Sequence, residues 1–271
     1  MRLFNFSFCD VENTIEECER WKSSSEPWPD DVCLYQPYQV DQITFPDYAN
    51  CLSVKTFLHM CGLNFQVELR ANAEEMSPSG KVPFLHCGPF LVSELDPIIG
   101  FVHTKGFLLS RDLSEAERSE MRAYMALVEN ILVKAELYLA WIDKTVSNEV
   151  TKPRYGYVHP WPLKTILPWK KQREVYAMLD SAGWAKKTIL QVCDEVRTCC
   201  QALSERLDKQ PYFLGDRPTE VDALVFGHLY TLLTTYLPER RFAEIIEEFK
   251  NLTAFVQRID NKFFKIPGNL F

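Results

Sequence analysis

The chain has 271 residues, of which 46% are hydrophobic, and a formal net charge of −7. That length buries a full core, as one large domain or two small ones. No dense Lys/Arg block occurs, which argues against nucleic acid as a partner.

The N-terminal stretch MRLFNFSFCDVENTIEE is too acidic, and its apolar run too short, for a signal peptide. It also lacks the Arg/Ser-rich, acid-poor character of a matrix-targeting presequence. Residues 1–30 have no clean period and are broken by Ser23, Ser24, Ser25, Pro27 and Pro29. They read as a flexible arm, with Trp28 available to dock onto the adjoining domain. Residues 32–37 form a strand stopped by Pro37, and residues 38–49 a loop. Over 50–60, Leu52, Val54, Phe57 and Leu58 share helical spacing, and Gly62 stands where a C′ glycine belongs. Residues 65–69 alternate apolar and polar, as a strand does. Strand, helix and strand at this spacing make a right-handed parallel unit.

After a polar loop over 71–80, two apolar runs, 82–85 and 90–92, flank His86, Cys87, Gly88 and Pro89. This is a strand, a tight turn and a strand. Ser93 or Asp96 is expected to start the next helix, with Pro97 in its first turn. Val82-Pro83 ahead of the hairpin is either an ordinary trans proline or the cis proline of a thioredoxin-like turn. The order βαβ, loop, ββα favours the second. The spacing thus predicts a thioredoxin-like domain over 31–106 and an all-helical domain over 107–271.

In the second half, residues 107–113 read as a linker. Residues 114–143 carry a sustained three-four apolar pattern, as one long helix does. Five breakers (Pro153, Gly156, Pro160, Pro162 and Pro168) interrupt residues 151–169, and helices are expected over 170–179 and 184–207. Thr219 is placed to cap a central helix, with Asp222 reaching back to its amide. Pro83, Thr219 and Asp222 are therefore read as structural. Helices over 240–249 and 252–264 close the chain. The longest apolar stretch, 221–237, contains Asp222 and His228 and reads as a buried helix, not a membrane span. No tail anchor follows it, so membrane attachment is expected to be peripheral or through a partner.

The nine cysteines form no CxxC and no zinc spacing, which fits reduced thiols. Cys51 opens the first helix; a lowered thiol pKa there is weighed against a buried small residue, which is the better account. The five histidines show no metal spacing and no evident Asp or Glu partner; His228 is expected to be a hydrogen-bonded core residue. Neither a metal nor a cofactor is expected. The segment around the breakers concentrates Trp161, Leu163, Ile166, Leu167 and Trp169 beside Lys164, Lys170, Lys171 and Arg173. Aromatics flanked by cations suit a partner groove or a membrane interface. The competing account is that both tryptophans pack over the bundle and the prolines only stiffen a connection.

The Val82-Pro83 hairpin followed by FLGDRPTEVDA over 213–223 resembles the glutathione-transferase-like layout, an α/β thioredoxin-like domain joined to an all-α domain. Further motifs are similar to the metaxins, in particular the second metaxin paralogue. They are Glu26-Pro27-Trp28-Pro29, RANAEEMSPSGKVPF over 70–84, Arg154-Tyr155-Gly156 with Pro160-Trp161-Pro162-Leu163, Cys199-Cys200, and TEVDALVFGHLY over 219–230. The resemblance implies a subunit on the cytosolic face of the mitochondrial outer membrane. Its implied work is protein import and β-barrel sorting and assembly, with the membrane-anchored first metaxin and other outer-membrane assembly proteins as partners. It also implies a link, through motor-adaptor proteins, to mitochondrial transport along microtubules. A glutathione transferase needs a hydroxyl or thiol near the end of strand one and a Glu/Gln-Ser pair after strand four. The pair falls here at Glu94-Leu95, so a leucine stands in the serine's place. Of Tyr35, Tyr38 and Tyr48, none aligns securely as the hydroxyl donor. Loss of catalysis is the expectation; a glutathione-dependent transferase or a thiol-redox enzyme is the alternative.

Overall fold

The computed structural model describes residues 28–265. The expected arm over 1–30 therefore lies outside the described residues except at its end. There Trp28 donates its indole N–H to the Asn64 carbonyl (2.8 Å) and meets Phe107 edge-on.

Four short strands form one mixed sheet in the order β2-β1-β3-β4. β1 (Cys33–Gln36) pairs parallel to β2 (Gln66–Leu69) and antiparallel to β3 (Phe84–Cys87), which pairs with β4 (Phe90–Ser93) across the Gly88-Pro89 turn. Gly88 has φ 57°, which a side chain would disfavour. The connection from β1 to β2 is α1 (Phe45–Met60). It begins five residues earlier than its apolar spacing predicts, because Pro46 fits the first turn, where its missing N–H is not needed. Gly62 follows the helix with φ 68°, in the left-handed conformation that ends helices. A short α2 (Ala73–Met76) sits within the stretch read as loop. Val82-Pro83 is cis. Neither Ser93 nor Asp96 starts the next helix: Glu94 is the cap, with φ 70°, and α3 runs Leu95–Thr104.

The helical half starts with Ser114, whose hydroxyl and amide exchange hydrogen bonds with Glu117 in a capping box. The single long helix read over 114–143 is α4 (Glu115–Val128), a π-helical turn (Glu129–Val133) and α5 (Lys134–Trp141). Two short pieces, α6 (Lys144–Val146) and α7 (Lys152–Gly156), lead to α8 (Leu163–Ser181). The prolines of this stretch do not make it a loop. Pro162 sits at the cap of α8, and Pro168 is carried inside the helix. Pro168 cannot donate to the Lys164 carbonyl. That carbonyl packs so tightly on Gly156 that a side chain there would collide with it.

α9 (Ile189–Leu207) starts at a Thr188–Gln191 capping box, leaving Trp184 before it, buried and outside the helix. α10 (Glu220–Thr234) is the central helix, and α11 (Arg241–Glu248) and α12 (Lys250–Phe263) finish the bundle. Thr219 donates both its amide and its hydroxyl to Asp222 Oδ2 (2.7 Å each), and the Phe213 amide donates to Oδ1 (2.9 Å). The wholly buried carboxylate therefore ties the Phe213–Thr219 turn to the helix start.

α10 and α1 hold the two halves together. Ser53 and Gly227 meet where the helices touch: an added Cβ at Gly227 would lie 2.6 Å from the Ser53 nitrogen and 2.7 Å from the Ala49 carbonyl oxygen. Only glycine permits that approach. The Ser53 hydroxyl shares its one proton between Ala49 O (3.0 Å) and Leu224 O (3.3 Å), so it reaches across the contact it helps to make.

Candidate functional site

Three places bear on function: the cleft above the cis proline, the Trp161–Trp169 segment, and the groups that sequence reasoning singled out in the core.

The cleft is where the thioredoxin-like half would grip a peptide-like ligand, through the backbone beside the cis proline. Here Val82 opens onto a cavity of only about 20 Å³, lined also by Asp47, Glu74 and Tyr155. The helical half has closed it. From α7, Tyr155 donates its hydroxyl to Glu74 Oε2 (2.9 Å), and Arg154 donates to the carbonyls of Ile43 (3.2 Å) and Val40 (3.1 Å). From α8, Lys171 forms an ion pair with Glu74. Burial works against that ammonium, but Glu74 and Asp47 beside it raise its pKa on balance. Burial, with Glu74 nearby, pushes the Asp47 carboxyl up to about 6.

The residues at the serine and hydroxyl positions of the site are engaged elsewhere. Leu95 packs, half-buried, between the two cores, where a ligand-binding serine would be needed. Glu94 forms an ion pair with Lys81, and Ser93 donates to Ser79 (2.9 Å). Tyr35 stacks on Phe84 at 4.8 Å, with the Arg70 guanidinium 5.9 Å from its ring centre. Tyr48 accepts from Gln39, and burial pushes its phenol up to about 12, so its proton is held. Tyr155, the phenol that does line the cleft, is also pushed upward, first by burial and then by Glu74. None of these is poised to stabilise a thiolate.

The Trp161–Trp169 segment is different. Trp161 is 78% exposed and Trp169 56%, with Leu163 and Ile166 also exposed. The account in which both tryptophans pack over the bundle fails on these values. Trp161-Pro162 is cis, and Trp169 carries Arg173 over its ring at 4.9 Å. Two residues of the predicted set do not join the surface. Lys171 is turned inward to Glu74, and Leu167 is half-buried. Lys170 is exposed and pairs with Glu174 (3.8 Å). Tyr157, 65% exposed, adjoins the segment and was missed. It stands between Pro153 and Pro160, two residues before His159, and its aromatic character was a usable signal.

In the core, Cys51 is wholly buried, and burial pushes its thiol far above the ordinary value. Cys87 rises to about 11 and Cys200 to about 12 for the same reason. His228 does have an acidic partner, contrary to the sequence reading. Its Nδ1 lies 2.9 and 3.0 Å from the two carboxylate oxygens of Glu136, and both side chains are wholly buried. Nothing in the sequence marks this pair, because 92 residues separate its members. Among the described residues, no cluster of His, Cys, Asp and Glu suits a metal, and no helix is long and apolar enough to cross a membrane.

Residues 49–146 match the model of the glutathione S-transferase N-terminal domain, and residues 196–259 that of the C-terminal domain. Among solved structures, a glutathione transferase family member from Pseudomonas fluorescens superposes with a TM-score of 0.57. It is 14% identical, over 88% of this chain and 91% of that one. Glutathione transferase F7 from Populus trichocarpa gives a TM-score of 0.53 at 14% identity, over 85% of this chain and 94% of that one. These likenesses show the fold. Metaxin-2 of Homo sapiens is 51% identical over 91% of this chain and 94% of its own length. The metaxin-2 homolog of Caenorhabditis elegans is 41% identical, over 78% of this chain and 92% of its own length. Metaxin-1 of Mus musculus is 30% identical, over 80% of this chain and 71% of its own length. On a glutathione-transferase-like scaffold, with identity of this order across nearly its whole length, the chain belongs to the metaxin family.

Proposed function

We propose that this protein is a non-catalytic adaptor subunit on the cytosolic face of the mitochondrial outer membrane. It acts in protein import and β-barrel sorting and assembly, bound to the membrane-anchored first metaxin. The same surfaces serve motor-adaptor proteins in mitochondrial transport along microtubules. The observation that supports the non-catalytic reading is the small cavity beside Val82, about 20 Å³, which Tyr155 lines while Arg154 and Lys171 bond across to Ile43 and Glu74. A chain that keeps this scaffold without its ligand site works through its surfaces. The exposed ridge of Trp161, Leu163, Ile166 and Trp169 is the surface assigned to partner or membrane contact. Aromatic side chains of this kind supply large contact area at low entropic cost. The membership in the metaxin family supports the compartment and the partner class.

Calorimetric titration of the purified chain with reduced glutathione tests this reading. No heat of binding is expected up to millimolar ligand. Micromolar binding, or thiol transfer that disappears on changing Tyr35, Tyr38 or Tyr48 to Phe, would restore the glutathione-dependent enzyme as the better account.

A further inference from the structure

A second cavity, of about 300 Å³, lies on the flank of α1 where α10 and the end of α12 pass it. Nothing from the cis-proline hairpin or α3 lines it, so it is separate from the closed cleft. Its walls are mixed: Leu52 and Tyr48 from α1, Phe226 and Tyr230 from α10, and Phe264 beyond α12 supply the apolar and aromatic part, and Gln39, Lys55, Asp260 and Lys265 the polar part. Into it opens Lys55, a residue only 4% exposed. Among the described residues, the Lys55 ammonium makes no hydrogen bond and no ion pair. The other cation of the lining, Lys265, is already neutralised by Asp260 at 2.6 Å.

A lysine buried this far is costly unless an anion accompanies it. Burial lowers its pKa, the direction expected of an ammonium that lacks its counter-ion. The cavity also offers hydrogen-bond donors. Tyr48 accepts from Gln39 Nε2 (3.5 Å), which leaves its own hydroxyl proton free to donate, and Tyr230 stands beside it in the lining. With the Asp260 carboxylate of the lining taken up by Lys265, one unpaired cation, phenolic donors and an aromatic wall remain, which suits a monoanion with a compact apolar body. A dianion would leave one charge uncompensated, and a neutral ligand would leave Lys55 without a counter-charge. The volume matches the small end of ligand pockets.

We infer that the α1–α10–α12 cavity binds a small carboxylate with an apolar body, whose carboxylate pairs with Lys55 and whose body packs on Phe226, Tyr230 and Phe264. The test is isothermal titration of the full chain with 4-phenylbutyrate, alongside 4-phenylbutanamide, which has the same shape without the charge. The acid is expected to bind at one site, at least tenfold more tightly than the amide. Lys55→Met is expected to remove that preference while the chain stays folded by circular dichroism. No binding of the acid, equal affinity for acid and amide, or an unchanged preference in Lys55→Met would each overturn the assignment. The comparison of acid with amide on the unmodified chain decides the matter even if Lys55→Met does not fold.

Discussion

Glu136→Ala is expected to be among the most damaging single changes away from any surface. The carboxylate and the His228 ring are wholly buried and joined by contacts of 2.9 and 3.0 Å. Burial raises the Glu136 pKa, and His228 works against that rise, so each group is tolerated only beside the other. His228 Nε2 has no partner among the described residues. Removing Glu136 strips the ring of its remaining partner as well. An unsatisfied buried polar group costs about 1–3 kcal/mol, and breaking a buried pair by removing one member costs roughly 3–5 kcal/mol. For a chain of this size that corresponds to a fall in Tm of roughly 6–20 °C. Glu136→Gln keeps an acceptor and nearly the same volume, and is expected to cost about 1 kcal/mol. Replacing both members by apolar residues of similar volume is expected to be far milder than Glu136→Ala, because no orphaned group remains. Urea unfolding of the three variants measures all of this. A Glu136→Ala variant within about 1 kcal/mol of the parent would refute the reasoning, since that is the size of a single ordinary hydrogen bond.

Asp222→Ala leaves two backbone amides, those of Phe213 and Thr219, without an acceptor, and is expected to cost roughly 2–4 kcal/mol in the same assay. Gly227→Ala is expected to cost at least about 1–3 kcal/mol, because the added methyl collides with Ser53 and backbone cannot yield as a side chain tip can. Asp47 has its folded pKa raised to about 6 from 3.8, so the folded state holds its proton at higher pH than the unfolded state. Stability relative to Asp47→Asn is therefore expected to be greatest below about pH 4 and to fall by about 3 kcal/mol as the pH rises through about 6; a flat difference would contradict this. Trp161→Ala with Trp169→Ala is expected to leave stability within about 0.5 kcal/mol, as exposed sites do, while weakening co-purification with the partner. Cys51, Cys87 and Cys200 are expected to stay unalkylated by iodoacetamide at neutral pH in the native chain, as read by peptide mapping.

Signals that act within a few residues were legible in the sequence. Gly62 at the end of α1, the Gly88-Pro89 turn and the Thr219–Asp222 cap are local chemistry, and each stands where its residues point. The prolines misled where their effect depends on position. Pro46 and Pro162 fit at or near a helix start, and Pro168 is carried inside α8, with the Lys164 carbonyl it cannot serve lying against Gly156. The long helix of residues 114–143 hid a π-helical turn, since the three-four spacing of Met121, Met125, Val128, Leu132 and Ala135 runs through it without a break. The site was only half legible. Leu95 in the serine's place could be read from spacing, but closure of the cleft could not. It depends on Glu74 meeting Tyr155 and Lys171 across 81 and 97 residues. The same long-range pairing took Lys171 out of the surface set that its neighbours Lys170 and Trp169 form.

Proximity cross-linking in intact mitochondria tests the central claim most directly. The account predicts that the first metaxin and proteins of outer-membrane β-barrel assembly dominate the captured neighbours, and that Trp161→Ala with Trp169→Ala thins that set without loss of the folded chain. Recovery of the folded, full-length chain with no outer-membrane assembly protein among its neighbours would contradict it.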